Sequence, residues 1–182
     1  MFESVRPDLS VQAYLDSEKS SKERREYLGG YLYAMAGGTG RHNRISLNVA
    51  ATFLGASSSG CRVYQEGMKL RIGEAIFYYP DVMVVCGKEQ PDPYFETEPC
   101  VLVEVLSPST KQTDLREKML EYKRLPSLET YLIVDPDSLF IRHFWCDDGG
   151  AWQQQDITGS GDIVLPCLES TLTLSQVYQN VF

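Results

Sequence analysis

VLVEVL, Val101 to Leu106, is the stretch whose reading decides the fold: five apolar residues interrupted by one acid. Its length and its density of β-branched side chains suit a central strand covered on both faces. The two-residue period of a strand puts Val101, Val103 and Val105 on one face and Leu102, Glu104 and Leu106 on the other. Glu104 is then an acid set in an apolar strand, a position that demands a cation, a hydrogen-bonding partner or a raised pKa.

Toward the C-terminus, SPST punctuates that strand, and Thr113 to Leu125 is rich in helix formers and stops before Pro126. At about 100° per residue, Leu115, Met119 and Tyr122 form an apolar stripe, and Lys118 projects within roughly 60° of it. Lys111 falls near the same line, while Arg116, Glu117, Lys123 and Arg124 lie off it as solvated charges. Lys118 is therefore the lysine expected to face the sheet. Glu129 to Val134 reads as a second buried strand, so strand, helix and strand suit a right-handed βαβ crossover. Leu139 to Trp145 is expected to return beside it as the far edge of the sheet. From Gly149 the chain reads as turns until Ile163 to Leu165, and LTLSQVYQNVF reads as a terminal helix.

Toward the N-terminus, Phe77 to Cys86 and Cys61 to Ile72 look like strands joined by a turn at Gly73-Glu74. RHNRISLNVAATFLGA places Ile45, Val49, Thr52 and Phe53 at helical spacing, with Gly55 as its end. REYL and YLYAMA flank Gly29-Gly30, a dipeptide that supplies the positive φ angles of a hairpin turn. Ser10 caps a short helix to Glu18. Together these predict an α/β fold: a central mixed β-sheet flanked by helices, with an N-terminal β-hairpin.

The 182 residues fit a single domain spanning 1–182. The opening residues lack the apolar run of a secretory signal, and no run is long enough to span a bilayer, so a cytoplasmic protein without membrane contact is expected. Cys61, Cys86, Cys100, Cys146 and Cys167 are scattered and without a CxxC pair, which predicts reduced thiols with neither a disulfide framework nor a zinc site. A net charge of −8 argues against a broadly basic groove that binds duplex DNA by counterion release, although bound divalent ions would offset part of it.

Tyr79-Pro80-Asp81 opens the run VMVVC, so a second strand also offers a carboxylate. Two carboxylates about 4 Å apart repel by roughly 4 kcal/mol at an effective dielectric of 20. A hard divalent cation resolves that conflict, and Mg²⁺ favours sparse carboxylate sites that also take up phosphate oxygens.

Pro-Asp, a later Glu in an apolar strand and a nearby Lys resemble the PD-(D/E)XK nuclease superfamily. In detail, YPDVMVVC, VLVEVLSPST, DLREKMLEYKRL and ETYLIVDP are similar to the Uma-two family of restriction endonucleases, over about Glu23 to Val134. The resemblance implies a restriction endonuclease-like fold, Mg²⁺ (with Mn²⁺ as a substitute) as cofactor and DNA as substrate. The usual lysine two residues after the acid is here Leu106; the resemblance implies that Lys118 replaces it from the next helix. It also implies a supporting acid at Glu26 and a role for His42.

On this reading Asp81, Glu104 and the Val105 carbonyl hold the metal, and Lys118 orients water or stabilises developing charge. Each residue also has a plain structural reading: Asp81 as a turn residue, Glu104 in an ion pair, Lys118 snorkelling, Tyr122 in the core, and His42 and Glu26 exposed. Tyr131, Phe140, Phe144 and Trp145 read as packing or a dimer surface. The alternatives to an endonuclease are a catalytically inactive module that binds nucleic acid or a protein partner, and a hydrolase of small phosphate esters. A homodimer is expected.

Overall fold

The computed structural model describes residues 3–4, 8–35, 37–57, 60–107 and 114–182. Strand β1 (Glu3–Ser4) precedes helix α1 (Val11–Glu18), whose Ser10 cap accepts from the Ala13 N–H at 3.2 Å. The hairpin is β2 (Arg25–Leu28) with β3 (Tyr31–Ala34), turned by Gly29 and Gly30 at φ 55° and 102°. Helix α2 (Gly40–Ala56) is capped by Thr39 and runs through Gly55, so that glycine does not end it.

The two long strands expected over 61–72 and 77–86 are each broken in two. Strand β4 (Cys61–Gln65) bends at Glu66 and Gly67 into β5 (Lys69–Ile72), and β6 (Ile76–Tyr78) leads through Pro80 into β7 (Val82–Cys86). Glu66 takes a left-handed φ of 44°, and Pro80 has no N–H for a ladder, so the chain changes sheet at both points. After β8 (Phe95–Glu96) come β9 (Val101–Val105), a π-helical turn (Asp114–Lys118) running into α3 (Met119–Tyr122), and β10 (Thr130–Val134).

Then follow β11 (Phe140–Cys146), β12 (Trp152–Thr158), β13 (Asp162–Leu165), a 3₁₀ turn (Pro166–Leu168), β14 (Ser170–Thr173) and α4 (Leu174–Val177). Strand β12, not β11, is thus the far edge, and its polar run is exposed as an edge allows. The terminal helix is a single turn, because LTL begins in β14 and Thr173 forms a capping box with Gln176.

The central mixed sheet has the order β12-β11-β10-β9-β7-β4, with β9 parallel to β10 and antiparallel to β7. A second sheet, β1-β3-β2-β6-β5-β8, carries the hairpin. The face of β9 bearing Val101, Val103 and Val105 packs under α2, α4 and the β13–β14 ribbon. Leu102 and Leu106 pack on the other side with Leu70, Tyr78, Tyr122 and Tyr131. Helix α1 closes the second sheet by stacking Tyr14 on Tyr27, with ring centroids 4.9 Å apart. Tyr131 and Phe144 stack in the core, as packing predicts.

The cysteines depart from expectation. Cys61 is bonded to Cys86 and Cys100 to Cys167, leaving Cys146 as the free cysteine. Cys61 and Cys86 fall opposite one another in the β4–β7 register, and the 3₁₀ turn carries Cys167 to Cys100. Lys111, Thr113 and most of SPST lie outside the described residues, as does the side chain of Leu115. Among the described residues, no helix is long and apolar enough to cross a membrane.

Candidate active site

The alternation along β9 delivers Glu104 to the face it shares with Leu102 and Leu106, at 4% exposure. Its carboxylate is met from the next helical segment. Lys118 closes the π-helical turn and Tyr122 follows four residues later, on the same face. The Lys118 Nζ lies 3.2 Å from Glu104 Oε1 and 3.3 Å from Oε2, and the Tyr122 hydroxyl donates to Oε1 at 2.6 Å. Burial, then the Glu104 charge, hold the Tyr122 phenol far above its ordinary pKa, so it stays a neutral donor.

The hairpin supplies the third partner: Glu26 on β2 places Oε1 2.9 Å from Lys118 Nζ and also accepts the Tyr79 N–H at 3.3 Å. Lys118 is 5% exposed. Two carboxylates thus share one buried ammonium.

Asp81 sits where the chain has just passed Pro80. The β7–β9 pairing extends to Val82 opposite Val103, and beyond it the strands part. The Asp81 side chain fills the gap: Oδ2 accepts the Val105 N–H at 2.6 Å. Asp81 is therefore tied to the residue next to Glu104 in β9.

His42, in the first turn of α2, lies with Nε2 3.3 Å from Asp81 Oδ2. Burial alone would lower its pKa; the hydrogen bond and charge of Asp81, the charge of Glu66 and the Val105 carbonyl outweigh it and leave the pKa raised. Its Nδ1 has no hydrogen-bond partner among the described residues and abuts Gly38, where a Cβ would come within 2.7 Å. Gly38 leaves room for the imidazole.

Of the residues expected from the sequence, Glu26, Glu104 and Lys118 make one contact group and His42 and Asp81 another, with Asp81 bound to the Val105 N–H next to Glu104. Glu26 and His42 are part of the buried network rather than idle surface groups. Glu66 is an addition: its left-handed backbone donates to the Asp81 carbonyl at 3.0 Å, and its carboxylate lies with His42 and Asp81 in a set whose ligand atoms are within 4.8 Å of one another. The Glu66-Gly67 pair marks a turn in the sequence, but nothing there says what the turn faces. Tyr122 is both core and a Glu104 partner. The oxygen-rich donor set fits a hard divalent ion of the Mg²⁺ or Mn²⁺ kind.

Comparison with known proteins agrees with this architecture. The chain is 32% identical to the uncharacterized protein slr1290 of Synechocystis sp. over 178 residues, covering 96% of this chain and 94% of that one. A second Synechocystis protein, sll1609, is 28% identical over 160 residues, covering 83% and 88%. The fold is similar to the crystal structure of a "putative nuclease belonging to DUF820" from Anabaena variabilis, with a TM-score of 0.77, 16% identity, and coverage of 96% of this chain and 100% of that one. Residues 11–176 match the Uma2 family model, described as "Putative restriction endonuclease", and the chain belongs to that family.

Proposed function

We propose that this protein is a Mg²⁺-dependent endonuclease that hydrolyses phosphodiester bonds of DNA, with Mn²⁺ able to substitute. The observation that supports the reading is the clustering of His42, Glu66 and Asp81, whose ligand atoms lie within 4.8 Å of one another, with Asp81 tied to the strand that carries Glu104 and its partners Lys118 and Glu26. Asp81, Glu104 and the Val105 carbonyl would hold the ion. Bound there, it would supply Lewis-acid polarisation of the phosphate and a more acidic water. Lys118, fixed by Glu26 and Glu104, orients the attacking water or stabilises charge developing on the phosphate. Tyr122 keeps Glu104 in place, and His42 does the same for Asp81. The reading includes a cytoplasmic protein and a homodimer; Leu47 and Leu54, 55% and 60% exposed along α2, offer an apolar surface for the latter.

The test is a titration of Mg²⁺ and Mn²⁺ against supercoiled plasmid and linear single-stranded DNA. Metal-dependent cleavage is expected; folded protein that binds neither metal nor DNA would refute it. A second reading, an inactive nuclease-fold module for nucleic acid or a protein partner, is favoured by the direct contacts of Glu104 with Lys118 and Tyr122, which suit a structural ion pair. DNA binding without cleavage at any metal concentration would select it.

A further inference from the structure

Four cysteines from four parts of the chain meet at one end of the central sheet. Cys61 opens β4, Cys86 closes β7, Cys100 precedes β9, and Cys167 sits in the 3₁₀ turn. All pack against the apolar core beneath α2. The two disulfides are not separate staples: Cys86 Sγ and Cys100 Sγ, one from each pair, are 3.7 Å apart. The sulfurs of Cys86, Cys100 and Cys167 lie within 4.8 Å of one another, and Cys61 is bonded to the first. The Cys167 carbonyl lies 3.6 Å from Cys86 Sγ and 3.9 Å from Cys61 Sγ, which places the turn directly over that pair.

A zinc ion bound by four thiolates at about 2.3 Å sets its sulfurs at the corners of a tetrahedron with edges of about 3.8 Å. The Cys86–Cys100 separation already has that value. The Cα atoms stand 4.0 Å apart for Cys61 and Cys86 and 6.4 Å for Cys100 and Cys167, so each pair's backbone already stands close together. Cys61, Cys86 and Cys167 are only partly buried, which leaves an ion a way in.

We propose that, once reduced, Cys61, Cys86, Cys100 and Cys167 form a tetrathiolate site for a soft divalent ion of the zinc class. A dithiol reductant gives two electrons to each disulfide and leaves as its own disulfide; the two S–S bonds become four thiols. Binding then forms four metal–sulfur bonds and releases the four thiol protons. Disulfide and metal forms are mutually exclusive, because they use the same four sulfurs. Sulfur ligands select against Mg²⁺, so this site and the carboxylate site sort their ions by softness.

The full chain, reduced with excess dithiol and then freed of it without oxygen, is titrated with Co²⁺. The expected result is one equivalent bound with the visible bands and sulfur charge-transfer of a tetrahedral cobalt thiolate, displaced by Zn²⁺ and untouched by excess Mg²⁺. Asp81→Asn keeps the spectrum; Cys100→Ser and Cys167→Ser lose it. Should either serine variant fail to fold, Cys61→Ser at the start of β4 takes its place. Five titratable thiols, Cys146 included, without a cobalt spectrum, disulfides that persist in excess dithiol, or a spectrum that survives the serine variants would each overturn the proposal.

Discussion

Strands β7 and β9 run antiparallel, and each carries reactive side chains at both ends. At one end Asp81 precedes β7 while Glu104 and Val105 finish β9; at the other Cys86 finishes β7 while Cys100 precedes β9. Asp81 and Cys86 stand five residue steps apart, about 17 Å along the strand. Between them Val82, Val84, Val101 and Val103 are wholly buried. One strand pair thus presents oxygen ligands with an ammonium and an imidazole at one end, and only sulfur at the other. An apolar strand pair thus stands between an oxygen-rich donor set and a sulfur one, donor types that suit different ions.

The largest effect is expected at the oxygen end. Lys118→Met leaves Glu26 and Glu104 facing one another without their cation, so unfolding free energy should fall by about 3–5 kcal/mol in urea titration. Cleavage should fall about 100- to 1,000-fold. Cys100→Ser, at the sulfur end, should leave the cleavage rate within about twofold. Equal losses in the two variants would break the distinction between the ends.

The two histidines sharpen it. His42 is raised by its acids, whereas His143 on β11 has no hydrogen-bond partner for Nε2 among the described residues and is lowered by burial to about 4. The unfolded chain takes up the His143 proton near pH 6.5 and the folded chain does not. Its contribution is therefore fully present above about pH 6.5 and shrinks toward pH 4, by up to about 3 kcal/mol. His42 has the opposite sign: its contribution is present below about pH 6.5 and is lost as pH rises through its raised folded pKa. Unfolding curves across this range should show the acid limb flattened in His143→Phe.

A smaller change is expected from Tyr122→Phe, which removes a 2.6 Å hydrogen bond to a buried carboxylate but keeps the ring against Tyr78 and Tyr131. The loss should be about 1.5–3 kcal/mol in the same titration.

Much of the oxygen end was legible in the sequence. The alternation of VLVEVL puts Glu104 on its face, because a strand's period is a local property of the chain, whereas Lys118 reaches it from a π-helical turn and not from the α-helical stripe expected over Thr113 to Leu125. Asp81, Glu26 and His42 rested on family resemblance. Glu66 was missed because its left-handed backbone and the sheet-to-sheet bend it makes are set by tertiary packing. Strand β12 was hidden by its polar QQQD run, which an edge strand tolerates. The sulfur end was illegible for a different reason: partners 25 and 67 residues apart carry no spacing signal until β4, β7 and the last turn are placed side by side.

The most direct test of the account is single-turnover cleavage of supercoiled plasmid in Mg²⁺ by the wild-type protein and by Asp81→Asn, with folding of both checked by thermal unfolding. A fall of at least about 100-fold in the variant is predicted. A folded Asp81→Asn protein that cleaves at the wild-type rate would contradict the assignment of catalysis to this site.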